Sequence, residues 1–212
     1  MYPINNVSGI IQQEQDFDGM HIIVLFLIKP SDCDVEFFYQ KINYFHYRAD
    51  KYCSLYLLGC MEKKMDDYPD SQEIKAVDNK CWYYSDKCFI EAATSIEARL
   101  KHWSYSGAPE MIILQKKQKE NKSDCLDFSN YVYIDIAYAI KKGYIDDFGK
   151  FMERFLQSCK KEVEVSAVMK LEEKKRLKCR KVLEHAIESA ERIPAPIKEI
   201  MRDKLFFKTY KG

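Results

Sequence analysis

The sequence predicts an α/β domain of three layers, with helices covering both faces of a mixed sheet of four to five strands. Three observations carry this. The chain has 212 residues, 47% hydrophobic and 32% charged, with a net charge of +1, which excludes a disordered tail protein and leaves enough chain for a sizeable core. Residues 22–28 are continuously apolar rather than alternating, as in a strand buried on both faces. Further strand-like runs follow, separated by stretches whose apolar residues recur at helical spacing.

Taken in order, residues 1–20 are a polar lead-in with Gly9 and Gly19, and 9–12 reads as a short strand. The apolar strand over 21–28 is ended by Pro30. Ser31 followed by Asp34 is a helix start, and Val35, Phe38, Ile42 and Phe45 give a helix over about 34–48. A second strand spans 54–60. Residues 61–80 are charged and turn-rich around Asp66, Asp67 and Asp70, a surface loop of solvated charge rather than a calcium loop. Residues 81–84 read as a short edge strand. Ser85-Asp86 caps a helix with Phe89, Ala93, Ile96, Leu100 and Trp103 on one side. After a turn at 106–109 come a third buried strand (111–115), a charged hairpin loop (116–130) and a fourth strand (131–137). Asp146-Asp147 then starts a helix with Phe148, Phe151, Met152, Phe155 and Leu156 inward. Helical crossovers would make the first three strands parallel neighbours, with a hairpin joining the last two.

The charge divides the chain. Residues 1–159 hold 19 Lys and Arg against 24 Asp and Glu, whereas 160–212 hold 15 against 9, a net of +6. We therefore read an α/β domain over 1–159 and a basic helical appendage over 160–212. In the appendage Cys179, Val182, Leu183, Ala186, Ile187 and Ala190 form one stripe, Pro194 and Pro196 break it, and Ile197, Ile200, Met201 and Leu205 suggest a last short helix.

The first 18 residues lack the charged and apolar regions of an export signal, and an apolar run of seven residues is far short of the roughly 20 that span a bilayer. The expectation is a cytoplasmic protein with no membrane contact and with its eight cysteines reduced. No Cys-x-x-Cys pair and no zinc-ligand spacing occurs, and His21, His46, His102 and His185 are scattered, so no metal is expected. With seven glycines in the whole chain and no phosphate-loop, dinucleotide, nucleophile-elbow or kinase motif, no cofactor is expected either.

The order of strands and helices over about 20–158 resembles the thioredoxin-like fold. In that family the redox site follows the first core strand, where Lys29-Pro-Ser-Asp-Cys33 stands here. The family also has a cis-proline facing that site just before its third strand, and Ser106-Gly-Ala-Pro109-Glu-Met-Ile-Ile-Leu114 is similar to that segment. The pair of cysteines three apart is missing. Cys33 matches only the second position, Pro30 stands in the first, and no tryptophan precedes the site. The insertions at 61–84 and 116–130 are longer than the family core needs, and three-layer sheets of flavodoxin-like order share the same outline.

The resemblance implies a site between Cys33 and Pro109. A thiol in the first helical turn is stabilised as thiolate by the amide groups there, while Asp32 and Asp34 oppose it by repulsion. Pro109 has two readings, a cis peptide shaping a groove or an ordinary trans turn proline. The tail holds seven cations and two anions over 170–181, among them Lys174, Lys175, Arg176, Lys178, Arg180 and Lys181. Such a face could meet phosphates, a protein partner, or the acidic domain itself. The expected role is a non-catalytic adaptor, of bacterial type by its composition, that binds another protein. The alternatives are a thiol-dependent oxidoreductase-like enzyme using Cys33 and a nucleic-acid binder using the basic stretch.

Overall fold

The continuously apolar run forms the middle of the main sheet, and all six residues of its strand are shielded from solvent. The computed structural model describes residues 1–17, 21–32, 36–49, 52–75, 77–116, 125–161 and 208–211. In chain order its elements are β1 (Tyr2–Ile4), α1 (Val7–Gln15), β2 (Ile22–Leu27), α2 (Glu36–Gln40), α3 (Ile42–Ala49), β3 (Cys53–Leu58), β4 (Cys60–Met61), β5 (Gln72–Lys75), β6 (Cys81–Tyr84), α4 (Asp86–Glu97), β7 (Glu110–Lys116), β8 (Leu126–Asp135), α5 (Ile136–Lys141), α6 (Phe148–Cys159) and β9 (Lys208–Lys211).

The main sheet runs β1-β3-β2-β7-β8-β9, and β4, β6 and β5 form a separate small antiparallel sheet. β1, β3 and β2 are parallel; β7, β8 and β9 each run antiparallel to the preceding neighbour. The chain crosses the sheet one way from β1 to β2 and returns from β2 to β3. Right-handed crossovers therefore put α1 and α3 on opposite faces. α4 packs with α1, and α6 packs with α3. This arrangement buries β2 and β3 on both sides.

The third strand corrects the expected topology. β7 lies antiparallel to β2, with Ile22 opposite Gln115 and Leu27 opposite Glu110, although a helix precedes it. The path from β3 passes through the small sheet before reaching α4, so it is not the short crossover that imposes parallel neighbours.

Other expectations are corrected locally. Residues 9–12 belong to a helix, because the Asn6 side chain caps it by accepting from the Gly9 amide (2.8 Å) and Val7, Ile10 and Glu14 all turn inward. The helix expected over 34–48 is two: at Lys41 the amide is shared between the carbonyls of Phe37 (3.2 Å) and Phe38 (3.0 Å). Phe38 still centres an aromatic cluster with Phe26 (4.7 Å between centroids), Phe45 (5.7 Å) and Phe148 (6.1 Å). β6 is the middle of the small sheet rather than an edge, since part of the expected surface loop pairs with it as β5. β8 begins earlier and ends sooner than expected, at Asp135, whose carboxylate accepts from the Tyr138 amide (2.8 Å) and starts α5.

The capped helices follow their sequence signals. Asp147 accepts from the Lys150 amide (2.7 Å) at the head of α6, and the five predicted apolar residues of α6 are buried. The Ser85 hydroxyl accepts from the Cys88 amide (3.1 Å) and donates to Asp70 (2.7 Å), with Ser85 fully buried. Ser85→Ala removes both bonds and is expected to cost about 1–2 kcal/mol. A lower urea midpoint at unchanged slope would show this, and an unchanged midpoint would refute it.

Of residues 160–212 the structure describes 160, 161 and the short strand β9, which pairs with β8 from Asn130↔Lys211 to Tyr133↔Lys208. The helices expected at 179–190 and 197–205 lie outside the described residues. No helix among the described residues is long and apolar enough to cross a membrane.

Candidate functional site

The pairing of Leu27 with Glu110 brings two segments out of the same end of the sheet: the turn after β2 and the proline before β7. The turn closes on itself. The Asp32 carboxylate accepts from the Lys29 amide (2.7 Å), and the Asp32 amide donates to the Lys29 carbonyl (3.1 Å). Tyr39 on α2 holds the strand end by donating to the Ile28 carbonyl (2.8 Å).

Across from it, residues 103–109 wrap around a buried carboxylate. Glu110 is 1% exposed and accepts from the Trp103 indole (3.0 Å) and the Ser106 amide (3.2 Å). Burial, only partly offset by these donors, pushes its carboxyl above the ordinary range. Pro109 is buried, and its carbonyl accepts from the Ile136 amide at the start of α5 (2.9 Å). The Ala108–Pro109 bond is trans, as is every peptide bond among the described residues. Gly107 supplies the positive φ (+88°) that lets this loop turn back.

The floor of the site comes from α4 and the small sheet. Phe89 packs edge-on to Tyr105 at 5.3 Å and against Tyr84 at 6.2 Å. The Lys29 ammonium lies 5.2 Å over the Phe89 ring and 3.6 Å from Asp86, which also accepts from the Tyr84 hydroxyl (2.9 Å). The Tyr105 hydroxyl is different. It is shut off from solvent, has no hydrogen-bond partner among the described residues, and burial raises its pKa, helped by the carboxylates of Asp32, Glu110 and Asp86. A buried hydroxyl without a partner is costly, so it marks a position where something else could complete the bond.

Of the residues singled out by sequence, Pro109 and Asp32 are both placed at this end of the sheet, Pro109 before β7 and Asp32 in the turn after β2. Cys33 and Asp34 lie outside the described residues, as do Lys174, Lys175, Arg176, Lys178, Arg180 and Lys181. Sequence reasoning missed Glu110, Tyr105 and Lys29. A charged residue inside the otherwise apolar run 109–114 was the available signal for Glu110. No group of three or more His, Cys, Asp or Glu side chains among the described residues could hold a metal ion.

A second polar cluster occupies the opposite end of β2. The Glu14 carboxylate is fully buried among His21, Ser54, Tyr56 and Lys116. Lys116, expected at an exposed hairpin tip, is 1% exposed and donates to the Glu14 carbonyl (2.5 Å) and to that of Phe17. His21 presents Nε2 to both Ser54 (3.0 Å) and Glu14 (2.8 Å), so no relay runs from the acid through the ring to the serine. This cluster ties α1 and the start of β2 to β3 and β7. A groove of about 590 Å³ between α3 and α6, lined by Lys41, Tyr44, Phe45 and Glu153 among others, shares no residue with either cluster.

The chain matches no family model, no curated protein and no solved structure.

Proposed function

We propose that the chain is a thioredoxin-like binding domain without the paired cysteines, and that it holds an extended segment of another protein at the rim between the 28–32 turn and Pro109. The resemblance requires the turn after the first core strand to face the proline before the third, and the Leu27–Glu110 pairing supports that relation. The trans bond before Pro109 departs from the family pattern. Pro30 in place of the attacking cysteine favours binding over thiol exchange. The rim is open, with Ser31, Asp86, Ser106 and Gly107 exposed around half-buried Tyr105, which suits an extended chain better than an enclosed small molecule.

The observation that carries this reading is the unpartnered Tyr105 hydroxyl. Tyr105→Phe removes a buried hydroxyl that nothing among the described residues satisfies, so the variant should be as stable as the parent or more stable by up to about 1 kcal/mol. Peptides selected from a displayed random library against the parent should bind the variant at least about fivefold more weakly, the loss of one hydrogen bond worth about 1 kcal/mol. Their amide-shift footprint should fall on 29–32, 84–90 and 104–110. Equal affinity for both proteins, a footprint elsewhere, or no binder from the library would overturn the proposal.

A further inference from the structure

The groove between α3 and α6 lies apart from the rim and from the Glu14 cluster, and its two walls differ. Lys41, Tyr44, Phe45 and Arg48 follow one another at i, i+3, i+4 and i+7, so they form one stripe of α3 and the residue before it. On α6, Lys150 and Arg154 share a face at i and i+4. The space between the walls is about 590 Å³, within the range of small-ligand sites.

The charges there do not cancel. Lys41, Arg48, Lys150 and Arg154 stand against Asp147 and Glu153, a net of +2, although residues 1–159 as a whole carry 19 cations against 24 anions. Both carboxylates are already engaged. Asp147 accepts from the Lys150 amide (2.7 Å), and Glu153 accepts from the Tyr44 hydroxyl (2.5 Å), Arg48 Nε (3.1 Å) and the Gln157 amide group (2.9 Å). Lys41 and Lys150 form no ion pair among the described residues. The Lys41 ammonium reaches the first turn of α6, 3.7 Å from where a Cβ on Gly149 would stand. Tyr44 is 47% exposed and its ring meets that of Phe45 edge-on at 5.7 Å, so the α3 wall is aromatic.

We propose that this groove binds a nucleoside phosphate, its phosphates held by Lys41, Lys150 and Arg154 and its base laid against Tyr44.

Phosphate oxygens only accept, and ammonium and guanidinium groups only donate, so the pairing satisfies both sides. The Asp147 carboxylate already holds the head of α6, so these oxygens are met by side chains and not by helix amides. A bare phosphate would leave the aromatic wall uncovered, whereas a base offers it a flat face on which to stack. A run of acidic side chains would match the cations and leave the ring bare.

The test uses the full chain at low salt, with metal-free ADP, adenosine and inorganic pyrophosphate as probes, read by calorimetry and by amide shifts. ADP should bind with a Kd below about 1 mM, pyrophosphate more weakly and adenosine most weakly. The ADP footprint should fall on 41–48 and 147–154. Lys41→Ala and Lys150→Ala should each weaken ADP and pyrophosphate by about fivefold or more. Tyr44→Leu should weaken ADP by a similar factor and leave pyrophosphate unchanged. Lys101→Ala, at an exposed lysine outside the groove, should alter neither. No ADP binding at about 5 mM, a footprint elsewhere, or ADP no tighter than pyrophosphate would overturn the proposal. So would full affinity in Lys41→Ala and Lys150→Ala, an equal loss in Lys101→Ala, or a polyglutamate peptide that occupies the same residues more tightly than ADP.

Discussion

Glu14→Gln is expected to lower stability by about 3–5 kcal/mol, the range for breaking a buried ion pair by removing one partner. That is a large part of the roughly 5–15 kcal/mol a domain has available. The carboxylate accepts from the Tyr56 hydroxyl (2.5 Å), stands 2.8 Å from His21 Nε2 and lies 3.9 Å from the Lys116 ammonium. With the charge gone, buried Lys116 loses the carboxylate that stands 3.9 Å from its ammonium and keeps the Glu14 and Phe17 carbonyls. Burial alone would raise the Glu14 pKa, but His21 and the Tyr56 and Ser54 hydroxyls outweigh it, and the net direction is down. The sign follows. A carboxyl with a lowered folded pKa stabilises the fold fully above its unfolded value, and this is lost as pH falls through the folded one. Urea midpoints of parent and Glu14→Gln measured from pH 7 downward should therefore converge in acid. A constant gap across that range would contradict the argument. The double variant Glu14→Leu with Lys116→Met should lose less than the two single changes together, because neither charge is left unpaired.

Gly59→Ala should lower stability by about 2–5 kcal/mol, combining the left-handed backbone penalty with overpacking. Gly59 has φ +76°, and a Cβ there would lie 2.7 Å from Phe89 Cβ, 3.0 Å from Phe89 Cα and 3.1 Å from the Tyr84 ring. Its backbone is tied on both sides, to the Ile4 carbonyl and the Ser85 amide at 3.0 Å each. The clash therefore falls on the α4 backbone, not on a side chain that can swing away. At about 2–4 °C per kcal/mol for a chain of this size, the melting temperature should drop by roughly 5–20 °C. Gly107→Ala is the control. Its φ is +88° with nothing within 4 Å, so only the conformational penalty of about 1–2 kcal/mol applies. Equal losses at the two positions would show that contact with Phe89 is irrelevant.

What the sequence disclosed depended on whether an element's signal was its own or its partners'. β2 and β3 were legible because burial on both faces demands unbroken apolar residues, and α4 and α6 because a capping side chain precedes an apolar stripe. α1 was not, because its inward face carries Glu14, which looks solvent-facing until His21 before β2, Tyr56 of β3 and Lys116 of β7 surround it. β5 was hidden because Gln72, Glu73 and Lys75 are exposed, which leaves Ile74 as its one apolar mark. The direction of β7 leaves no mark on its residues, since parallel and antiparallel strands buried on both faces read alike. At the rim, Pro109 was legible from its setting before a strand. Glu110 was not, because its burial rests on the Trp103 indole and the Ser106 amide, which only the folded loop brings near.

The hydrogen bond from the Ser85 amide to the Gly59 carbonyl has a consequence for how the chain accommodates change. The 60–84 excursion departs and comes home through one doorway, so its two ends are neighbours before any of it is built. Insertions or deletions among the exposed residues 62–67 are absorbed beyond that threshold and leave the alignment of Leu27 with Glu110 untouched. The tip of the excursion is thus free to vary in length, while Cys60, Trp82 and Tyr84 of the small sheet stay in the core beneath it and keep the rim assembled.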